Sequence, residues 1–217
     1  MSIERVMEHI DQIVYINLDR RTDRRAQIEA ELRTMGCPPE KIRRFAAHPT
    51  QPGHIGCTQS HRDVIAMAKA AGWANVLILE DDFQCLVDKD TLQQHLSTVL
   101  GDPAVEWDVL FLSYNLQQSE DLTTAPASHL LGRTTNAQTA SGYIVNQRIY
   151  DRLLDNLSRA ADLCVLHPSI HWLYINDQYW KHLQADRSTT WLYFKTRLGK
   201  QRESYSDLSE RVVDHGV

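Results

Sequence analysis

The sequence contains no apolar run that approaches the ~18 residues of a membrane-spanning helix. Its first segment, MSIERVMEHIDQ, carries charges throughout and has no apolar core of signal-peptide length. It also has no CxxC pair, which excludes zinc-ribbon and thioredoxin-type motifs. We therefore expect a cytoplasmic protein whose cysteines are free, buried thiols: Cys37, Cys57, Cys85 and Cys164.

An excess of positive charge is missing as well. The chain has 23 Lys and Arg residues against 28 Asp and Glu residues, which gives a net charge of −5. A dedicated nucleic-acid binder needs a positive surface, so we expect no nucleic-acid partner, while a local basic pocket for a phosphate is compatible with this balance. The 217 residues contain no repeat, low-complexity segment or linker, which predicts a single domain.

Short apolar runs alternate with helical patterns along the chain. Strands are predicted at residues 13–18, 42–46, 75–80, 107–112, 140–145 and 189–194. Helices are predicted at 22–36, 58–71, 91–100, 147–160 and 171–182, and loops at 48–56 and 115–129. This alternation predicts an α/β fold with a mostly parallel sheet that is covered by helices on both faces.

The predicted strand 75–80 runs directly into three adjacent carboxylates, Glu80, Asp81 and Asp82. Adjacent carboxylates repel one another unless a cation or solvent relieves the repulsion. Mg²⁺ and Mn²⁺ prefer oxygen ligands, typically one or two protein carboxylates together with substrate phosphates. Ligands of open α/β sheets bind at the carboxyl ends of strands, so this position favours a metal–phosphate site. A solvated acidic turn is the alternative.

A second charged cluster follows the strand 13–18 and surrounds a predicted helix N-terminus: Arg20, Arg21, Arg24 and Arg25. Backbone N–H groups and guanidinium groups at such an end suit a pyrophosphate. Cations there oppose the helix dipole, so a purely structural reason for them is weak. The alternative for the last two arginines is a solvated pairing with Asp23 or Glu29.

Four blocks of the sequence, in order, resemble glycosyltransferase family 25, which contains lipopolysaccharide-type glycosyltransferases and the collagen galactosyltransferases. The blocks are VYINLDRRTDRR, GCTQSHRDVIAMA, VLILEDDF and LGKQRESYSDLS, and together they span most of the chain. The resemblance implies a GT-A fold, a nucleotide-sugar donor, a divalent metal (Mn²⁺ or Mg²⁺) and inversion at the anomeric carbon. Within one domain, 1–217, it implies a donor-binding portion at about 10–115 and an acceptor portion at about 130–217.

The matched blocks also imply roles for individual residues. The acidic block is similar to the DxD motif of GT-A enzymes, which implies that Asp82 binds the metal with Glu80, while Glu80 and Asp81 face the ribose or sugar. The tail is expected to close over the donor. A purely structural role is the alternative for His61. The residues that the resemblance assigns to donor binding are Asn17, Leu18, Arg20, Arg24, Ser60, His61, Glu80, Asp81, Gln201, Ser206 and Asp207.

An inverting transfer needs a base that takes the proton of the acceptor hydroxyl. GT-A enzymes of this kind carry that carboxylate near a helix in the C-terminal half, and Asp177 fits by position. It also lies among aromatic residues that can stack on sugar faces, although these can equally be core: Trp172, Tyr174, Tyr179 and Trp180. The reserve candidates for the base are Asp151, Asp155 and Asp162.

The sequence therefore predicts a metal-dependent glycosyltransferase that moves galactose or another hexose from a UDP-linked sugar to a glycan, lipid-linked or protein acceptor, such as a lipopolysaccharide precursor. Residues 115–135 carry no motif of the family and are expected to encode acceptor choice. A peripheral membrane contact is compatible with such an acceptor. Two alternatives stay open: a metal-dependent nucleotidyltransferase or phosphohydrolase, and a non-catalytic nucleotide-sugar-binding protein.

Overall fold

The computed structural model describes Met7 and residues 9–122, 127–206 and 211–213, with the backbone alone at 204–206 and 211–213. Its strands are β1 (Gln12–Asn17), β2 (Ile42–Ala46), β3 (Asn75–Glu80), β4 (Phe83–Cys85), β5 (Val109–Phe111), β6 (Asn115–Glu120), β7 (Leu131–Gln138), β8 (Gly142–Asn146), β9 (Trp191–Phe194), β10 (Gly199–Gln201), β11 (Ser204–Ser206) and β12 (Arg211–Val213). The α-helices are α1 (Thr22–Thr34), α2 (Gly53–Ala71), α3 (Lys89–Leu100), α4 (Tyr150–Leu166), α5 (Asn176–Tyr179) and α6 (Lys181–Ala185).

Eight strands form one sheet in the order β2-β1-β3-β8-β5-β9-β7-β6. The β1 strand pairs in parallel with both β2 and β3, and β5 pairs in parallel with β9. The other four neighbouring pairs are antiparallel, so the sheet is mixed. The predicted α/β class with flanking helices is confirmed. Because β2, β1 and β3 run in the same direction, their carboxyl ends meet at one edge of the sheet.

Both faces of the sheet are buried, which explains why β1 and β3 are apolar at nearly every position. Successive residues of a strand point to opposite faces, so each strand contributes to two cores. One core joins Ile13 and Leu77 to side chains of α1 and α3. The other joins Val14 and Ile78 to side chains of α2 and α4. These two layers fix the ends of β1 and β3 relative to the helices that follow them.

The sequence-based prediction was wrong about the segment 115–129, because its first part forms β6. This strand lies at the edge of the sheet and pairs only with β7. Its side chains are half-buried or exposed, so it has no apolar alternation that would reveal a strand. The neighbouring β7, LGRTTNAQ, is equally polar and also escaped prediction.

Two helix boundaries also differ from the prediction. The α2 helix begins at Gly53, inside the predicted loop 48–56. The single helix predicted at 171–182 is instead three short pieces: a 3-10 helix at Pro168–Leu173, then α5 and α6. No helix within the described part of the chain is both long and apolar enough to cross a bilayer.

Candidate active site

A cavity of about 800 Å³ opens at the carboxyl ends of β1 and β3. This is the edge at which open α/β sheets bind ligands. The cavity brings together most of the residues that the sequence assigned to a donor and metal site: Asn17, Leu18, Arg20, Arg24, His61, Glu80, Asp81, Asp82 and Gln201. Their roles stay predictions, but their convergence from four separate segments of the chain is a property of the fold.

The two charged clusters of the sequence pair with each other. Arg24, in the first turns of α1, is buried, and its Nη1 lies 2.9 Å from Asp81 Oδ1 and 3.1 Å from Asp82 Oδ2. The guanidinium therefore relieves the repulsion between these two carboxylates. From the sequence alone we expected a bound cation or solvent to do so. This contact also explains a positive charge at a helix N-terminus, where the dipole alone disfavours it.

Asn17 ties the end of β1 to the acidic cluster. Its Nδ2 donates to Asp81 Oδ2 at 2.7 Å and to the Arg21 carbonyl oxygen at 3.0 Å. Its Oδ1 accepts a hydrogen bond from Arg44 Nε at 3.0 Å. The side chain is almost completely buried, so these contacts satisfy it. Arg44, which was not predicted from the sequence, lies in the middle of β2 and reaches Asn17 at the end of the neighbouring β1.

Asp82 is buried and only half satisfied. Its Oδ2 accepts hydrogen bonds from Arg24 and from Gln201 Nε2, the latter at 3.1 Å, whereas Oδ1 is buried without a hydrogen-bond partner among the described residues. Burial raises the pKa of Asp82 to about 7, and the negative charge of Glu80 adds to the rise. A buried carboxylate oxygen without a protein donor is stabilised by a proton, a cation or an ordered water molecule.

This oxygen lets us test whether the site can hold the divalent metal that the family resemblance implies. Asp82, which carries this buried oxygen, and Glu80, whose side chain is 21% exposed, both line the cavity. Mg²⁺ and Mn²⁺ are typically held by one or two carboxylates and by phosphate oxygens of the substrate. The donor set therefore fits such an ion, with the nucleotide supplying the remaining ligands.

A packed aromatic ring holds the acidic residues in place. Phe83 follows Asp82 and is buried between Gly142 and Gly199, where a Cβ at either glycine would clash with the ring. The backbone of Arg202 donates to the Asp82 carbonyl oxygen at 2.7 Å. The pairing of β4 with β10 thus brings Gln201 from the C-terminal part of the chain to the acidic cluster.

Glu80 pairs with a buried histidine. His61, in the middle of α2, places Nε2 at 3.0 Å from Glu80 Oε1 and Nδ1 at 2.7 Å from the hydroxyl of Tyr143. Burial raises the pKa of Glu80, but the hydrogen bond and charge of His61 outweigh it, so the pKa is lowered. Cys57 lies one turn earlier on α2, with Sγ at 3.8 Å from the same Glu80 oxygen. Burial, followed by the charge of Glu80, raises the pKa of this thiol.

Ser60 does not line the cavity. It is fully buried, donates to the Gly56 carbonyl oxygen at 2.6 Å and accepts from the backbone N–H of His48 at 2.9 Å. His48 does border the cavity. The serine therefore positions the loop before α2, and any effect on a ligand is transmitted through that loop.

Asp177 lies in α5, outside the set of cavity-lining residues. Its Oδ2 accepts a hydrogen bond from the backbone of Thr139 at 3.0 Å, and Thr139 has a left-handed φ of 78°. Burial raises the pKa of Asp177, the Thr139 hydrogen bond opposes the rise, and the charge of Glu80 adds to it. The carboxylate thus interacts electrostatically with the cavity wall at Glu80 and Cys57.

The aromatic residues around Asp177 divide into two groups. Trp180 is core: it packs edge-on against Phe111 and Tyr143, and its Nε1 donates to the Ala137 carbonyl oxygen at 3.2 Å. Trp172 is 54% exposed. Of the predicted tail residues, Gln201 reaches the cavity, Ser206 is described only by its backbone in β11, and Asp207 lies outside the described residues.

Some residues at the site escaped sequence reasoning, notably Cys57 and Tyr143. The i and i+4 spacing of Cys57 and His61 is the signal that both side chains share one helix face, but the predicted helix began at residue 58, after Cys57. Tyr143 had no such signal, because it reaches His61 from β8, 82 positions away along the chain.

No protein-family model and no curated protein matches the chain. Solved structures to which it is similar include a mannose-1-phosphate geranyltransferase from Thermus thermophilus, at 13% identity and a TM-score of 0.48, with 92% of this chain and 76% of that chain covered. Another is mouse xyloside xylosyltransferase 1, at 8% identity and a TM-score of 0.37, with 87% and 77% covered. Likenesses this low identify neither a family nor an activity, and the resemblance to glycosyltransferase family 25 stays a prediction.

Proposed function

We propose that the protein is a metal-dependent glycosyltransferase that moves a hexose from a nucleotide sugar, UDP-linked, to a glycan-type acceptor with inversion. The observation that carries the proposal is Asp82 Oδ1, a buried carboxylate oxygen without a hydrogen-bond partner among the described residues, at the edge of the cavity of about 800 Å³ at the strand ends. The order of the four sequence blocks supports the glycosyl-transfer chemistry in particular.

The proposed donor site divides between cations and carboxylates. Arg20 is exposed at the cavity wall, where its guanidinium suits a diphosphate. Asp82 and Glu80 would hold Mn²⁺ or Mg²⁺, which when bound neutralises charge on the departing diphosphate. Asn17 and Arg24 keep Asp81 in place at the cavity edge.

The base proposed for the reaction is Asp177. The acceptor hydroxyl oxygen attacks the anomeric carbon, the bond from that carbon to the diphosphate oxygen breaks, and the hydroxyl proton passes to the Asp177 carboxylate. A raised pKa makes this carboxylate a stronger base than an exposed aspartate. Because Asp177 stands outside the cavity lining, the acceptor is expected to approach from the α5 side.

Exposed apolar side chains favour a lipid-linked acceptor. Five of them cluster at the end of α4 and in the 3-10 helix that follows: Val165, Leu166, Ile170, Trp172 and Leu173. Exposed apolar patches mark contacts with partners or membranes. His171 of this segment stacks on His54 at the start of α2, with ring centroids 3.6 Å apart, so the patch adjoins the helix that borders the cavity. Co-sedimentation with lipid vesicles, compared between wild type and Trp172→Ser, tests this acceptor class.

A calorimetric screen with UDP-, GDP- and CMP-sugars, each with and without Mn²⁺, tests the proposed donor. We expect binding of a UDP-sugar that requires the metal. Arg20→Ala should weaken this binding by about 1–3 kcal/mol, the contribution of a hydrogen bond to a charged group. Arg43→Ala, on the outer strand β2 and not in the cavity lining, is the control and should bind as wild type does.

The products separate the proposal from its two rivals. Glycosyl transfer releases a nucleoside diphosphate. A nucleotidyltransferase or phosphohydrolase on the same acidic strand end would yield nucleoside monophosphate or free phosphate. A binding protein would hold the donor in Mn²⁺ without turnover in the presence of any acceptor.

A further inference from the structure

Three side chains of different chemistry converge on the floor of the cavity. Cys57, His61 and Glu80 each direct one potential metal ligand to a common point, and these three atoms lie within 4.8 Å of one another. Thiolate, imidazole and carboxylate are the protein ligands of zinc. Asp82 is not a member of this group, so the cluster differs from the oxygen-only set described above.

Two of the three distances in the cluster are close to those of a tetrahedral zinc site. With Zn–N and Zn–O bonds of about 2.0–2.2 Å and a Zn–S bond of about 2.3 Å, tetrahedral angles place nitrogen and oxygen about 3.4 Å apart and sulfur and oxygen about 3.6 Å apart. The structure has 3.0 Å between His61 Nε2 and Glu80 Oε1, and 3.8 Å between Cys57 Sγ and the same oxygen. Shifts of a few tenths of an ångström would bring both pairs to zinc geometry.

The fold holds this arrangement firmly. Cys57 and His61 are separated by one turn of α2, whose inner face packs on the sheet, and Glu80 ends the central strand β3. His61 also contacts the buried hydroxyl of Tyr143 through Nδ1 at 2.7 Å. A metal-bound histidine almost always has such a partner on its other ring nitrogen, because that contact fixes the tautomer and the ring orientation.

We propose that Cys57, His61 and Glu80 form a zinc-binding site with three protein ligands and a fourth position open to the cavity. All three residues line the cavity, so a water molecule or a ligand can reach that position. Three protein ligands with an open place are the arrangement of zinc sites that act on a ligand, whereas closed structural sites use four.

Zinc binding at this site exchanges a proton for a metal bond. The thiol S–H bond of Cys57 breaks, the thiolate binds Zn²⁺, and the proton leaves to the solvent. The proton on His61 Nε2 moves to Nδ1, which then donates it in a hydrogen bond to the Tyr143 hydroxyl, so that His61 Nε2 and Glu80 Oε1 each form a bond to the metal in place of the hydrogen bond between them. The chemical softness of the ligands distinguishes the two metal sites. The soft thiolate of Cys57 favours Zn²⁺, whereas the hard oxygen ligands around Asp82 favour Mg²⁺ or Mn²⁺. Glu80 belongs to both sets, so Zn²⁺ at this site competes with the proposed donor metal.

Cobalt is the first probe, because Co²⁺ commonly substitutes for zinc and gives a thiolate-to-metal charge-transfer band when a cysteine is a ligand. We expect one equivalent of Co²⁺ to produce that band in the wild-type protein and Zn²⁺ to abolish it. Cys57→Ser should lose the band and bind Zn²⁺ more than ~100-fold more weakly. Tyr143→Phe should weaken Zn²⁺ binding by roughly 10- to 100-fold, the usual effect of removing a partner of a metal-bound histidine.

Cys85→Ser is the matched control, since Cys85 is also half-buried but lies on β4 and does not belong to the cluster. It should keep both the band and the Zn²⁺ affinity. A second measurement avoids variants altogether: Zn²⁺ should protect Cys57, and not Cys85, from alkylation of the reduced protein, as read by mass spectrometry.

Absence of the charge-transfer band in the wild type, or its persistence in Cys57→Ser, would overturn the proposal. So would equal alkylation of Cys57 with and without Zn²⁺. The experiments use the metal alone and no nucleotide sugar. A protein that transfers sugars but shows no such zinc site, or one that binds zinc but transfers no sugar, is therefore recognisable as such.

Discussion

The two sides of the β3 carboxyl end neutralise their acidic residues in different ways. On the Arg24 side (Arg24, Asp81, Asp82), a permanently charged guanidinium bridges two buried carboxylates. On the His61 side (Cys57, His61, Glu80), a carboxylate oxygen contacts a buried imidazole nitrogen at 3.0 Å. The first arrangement contains a cation that stays charged at any physiological pH, whereas the second contains no permanently charged cation. The guanidinium holds Asp81 and one oxygen of Asp82 in place, and it leaves the other Asp82 oxygen without a hydrogen-bond partner among the described residues.

The largest expected effect is the loss of turnover when Asp177, which lies near the His61 side, is replaced by asparagine. Asp177→Asn keeps the size of the side chain and most of its hydrogen bonding but cannot accept a proton. Loss of a general base costs about 10²–10⁴-fold in rate, so kcat should fall by that factor while donor affinity stays near that of wild type.

Asp90→Asn is a suitable control for this prediction, because Asp90 is exposed on α3 and is not among the candidate bases. Steady-state kinetics together with a thermal melt separate lost chemistry from lost structure. Wild-type turnover in Asp177→Asn would remove Asp177 as the base and would return attention to Asp151, Asp155 and Asp162.

On the Arg24 side the expected effect is on stability. Arg24→Met leaves two buried carboxylates without their counter-charge, and breaking a buried pair in this way typically costs about 3–5 kcal/mol. Arg25→Met, one residue further along α1, removes an exposed pair with Glu29 and an interaction with Tyr15, so its urea midpoint should stay close to that of wild type. Urea denaturation of both variants measures the difference. Equal midpoints would mean that the Arg24 side is not a buried ion pair in solution.

Protonation of Asp82 should also be visible in the pH dependence of stability. Its pKa is about 7 in the folded protein, against 3.8 for the free side chain, so the folded state binds more protons between these values. Stability contributed by this group is therefore present at low pH and is lost as pH rises toward 7. With EDTA present, the thermal midpoint of wild type relative to Asp82→Asn should fall between pH 4 and 7. A constant difference would contradict the raised pKa.

The smallest expected effect is that of Ser60, which supports the loop before α2. Ser60→Ala removes the hydroxyl that binds the Gly56 carbonyl oxygen and the His48 backbone, so it should cost about 1 kcal/mol of stability. Because the serine does not line the cavity, donor affinity should change little. A loss of donor affinity as large as that of Arg20→Ala would instead place Ser60 in contact with the ligand.

The sequence predicted the parallel part of the fold well, because β1 and β3 are buried on both faces and therefore consist of continuous apolar runs. It failed at the edge strand β6 and at its neighbour β7, because both consist mainly of polar residues and neither shows an apolar alternation. The helix predicted around Asp177 failed for a different reason. The backbone becomes extended at Ile175, with φ −60° and ψ 157°, between the 3-10 helix that begins at Pro168 and α5.

The sequence predicted most of the residues of the candidate site but not the contacts between them. The arginine-rich turn predicted a pyrophosphate at Arg24, and the acidic motif predicted a metal ion at Asp82. Neither motif indicated that these two side chains contact each other. The contact between them joins residues 58 positions apart and follows only from the packing of α1 against the end of β3. Gln201 reaches Asp82 from 119 positions away through the pairing of β10 with β4, which no periodicity revealed.

The most direct test of the proposed site is metal-dependent donor binding by wild type and by Asp82→Asn. The substitution removes the charge of the carboxylate and little volume. We expect a UDP-sugar to bind the wild-type protein in Mn²⁺, to lose that affinity in EDTA, and to bind Asp82→Asn equally weakly in both. Asp90→Asn, an exposed aspartate on α3, should behave as wild type. Unchanged, Mn²⁺-dependent affinity in a folded Asp82→Asn protein would contradict the assignment of the acidic cluster as the metal and donor site.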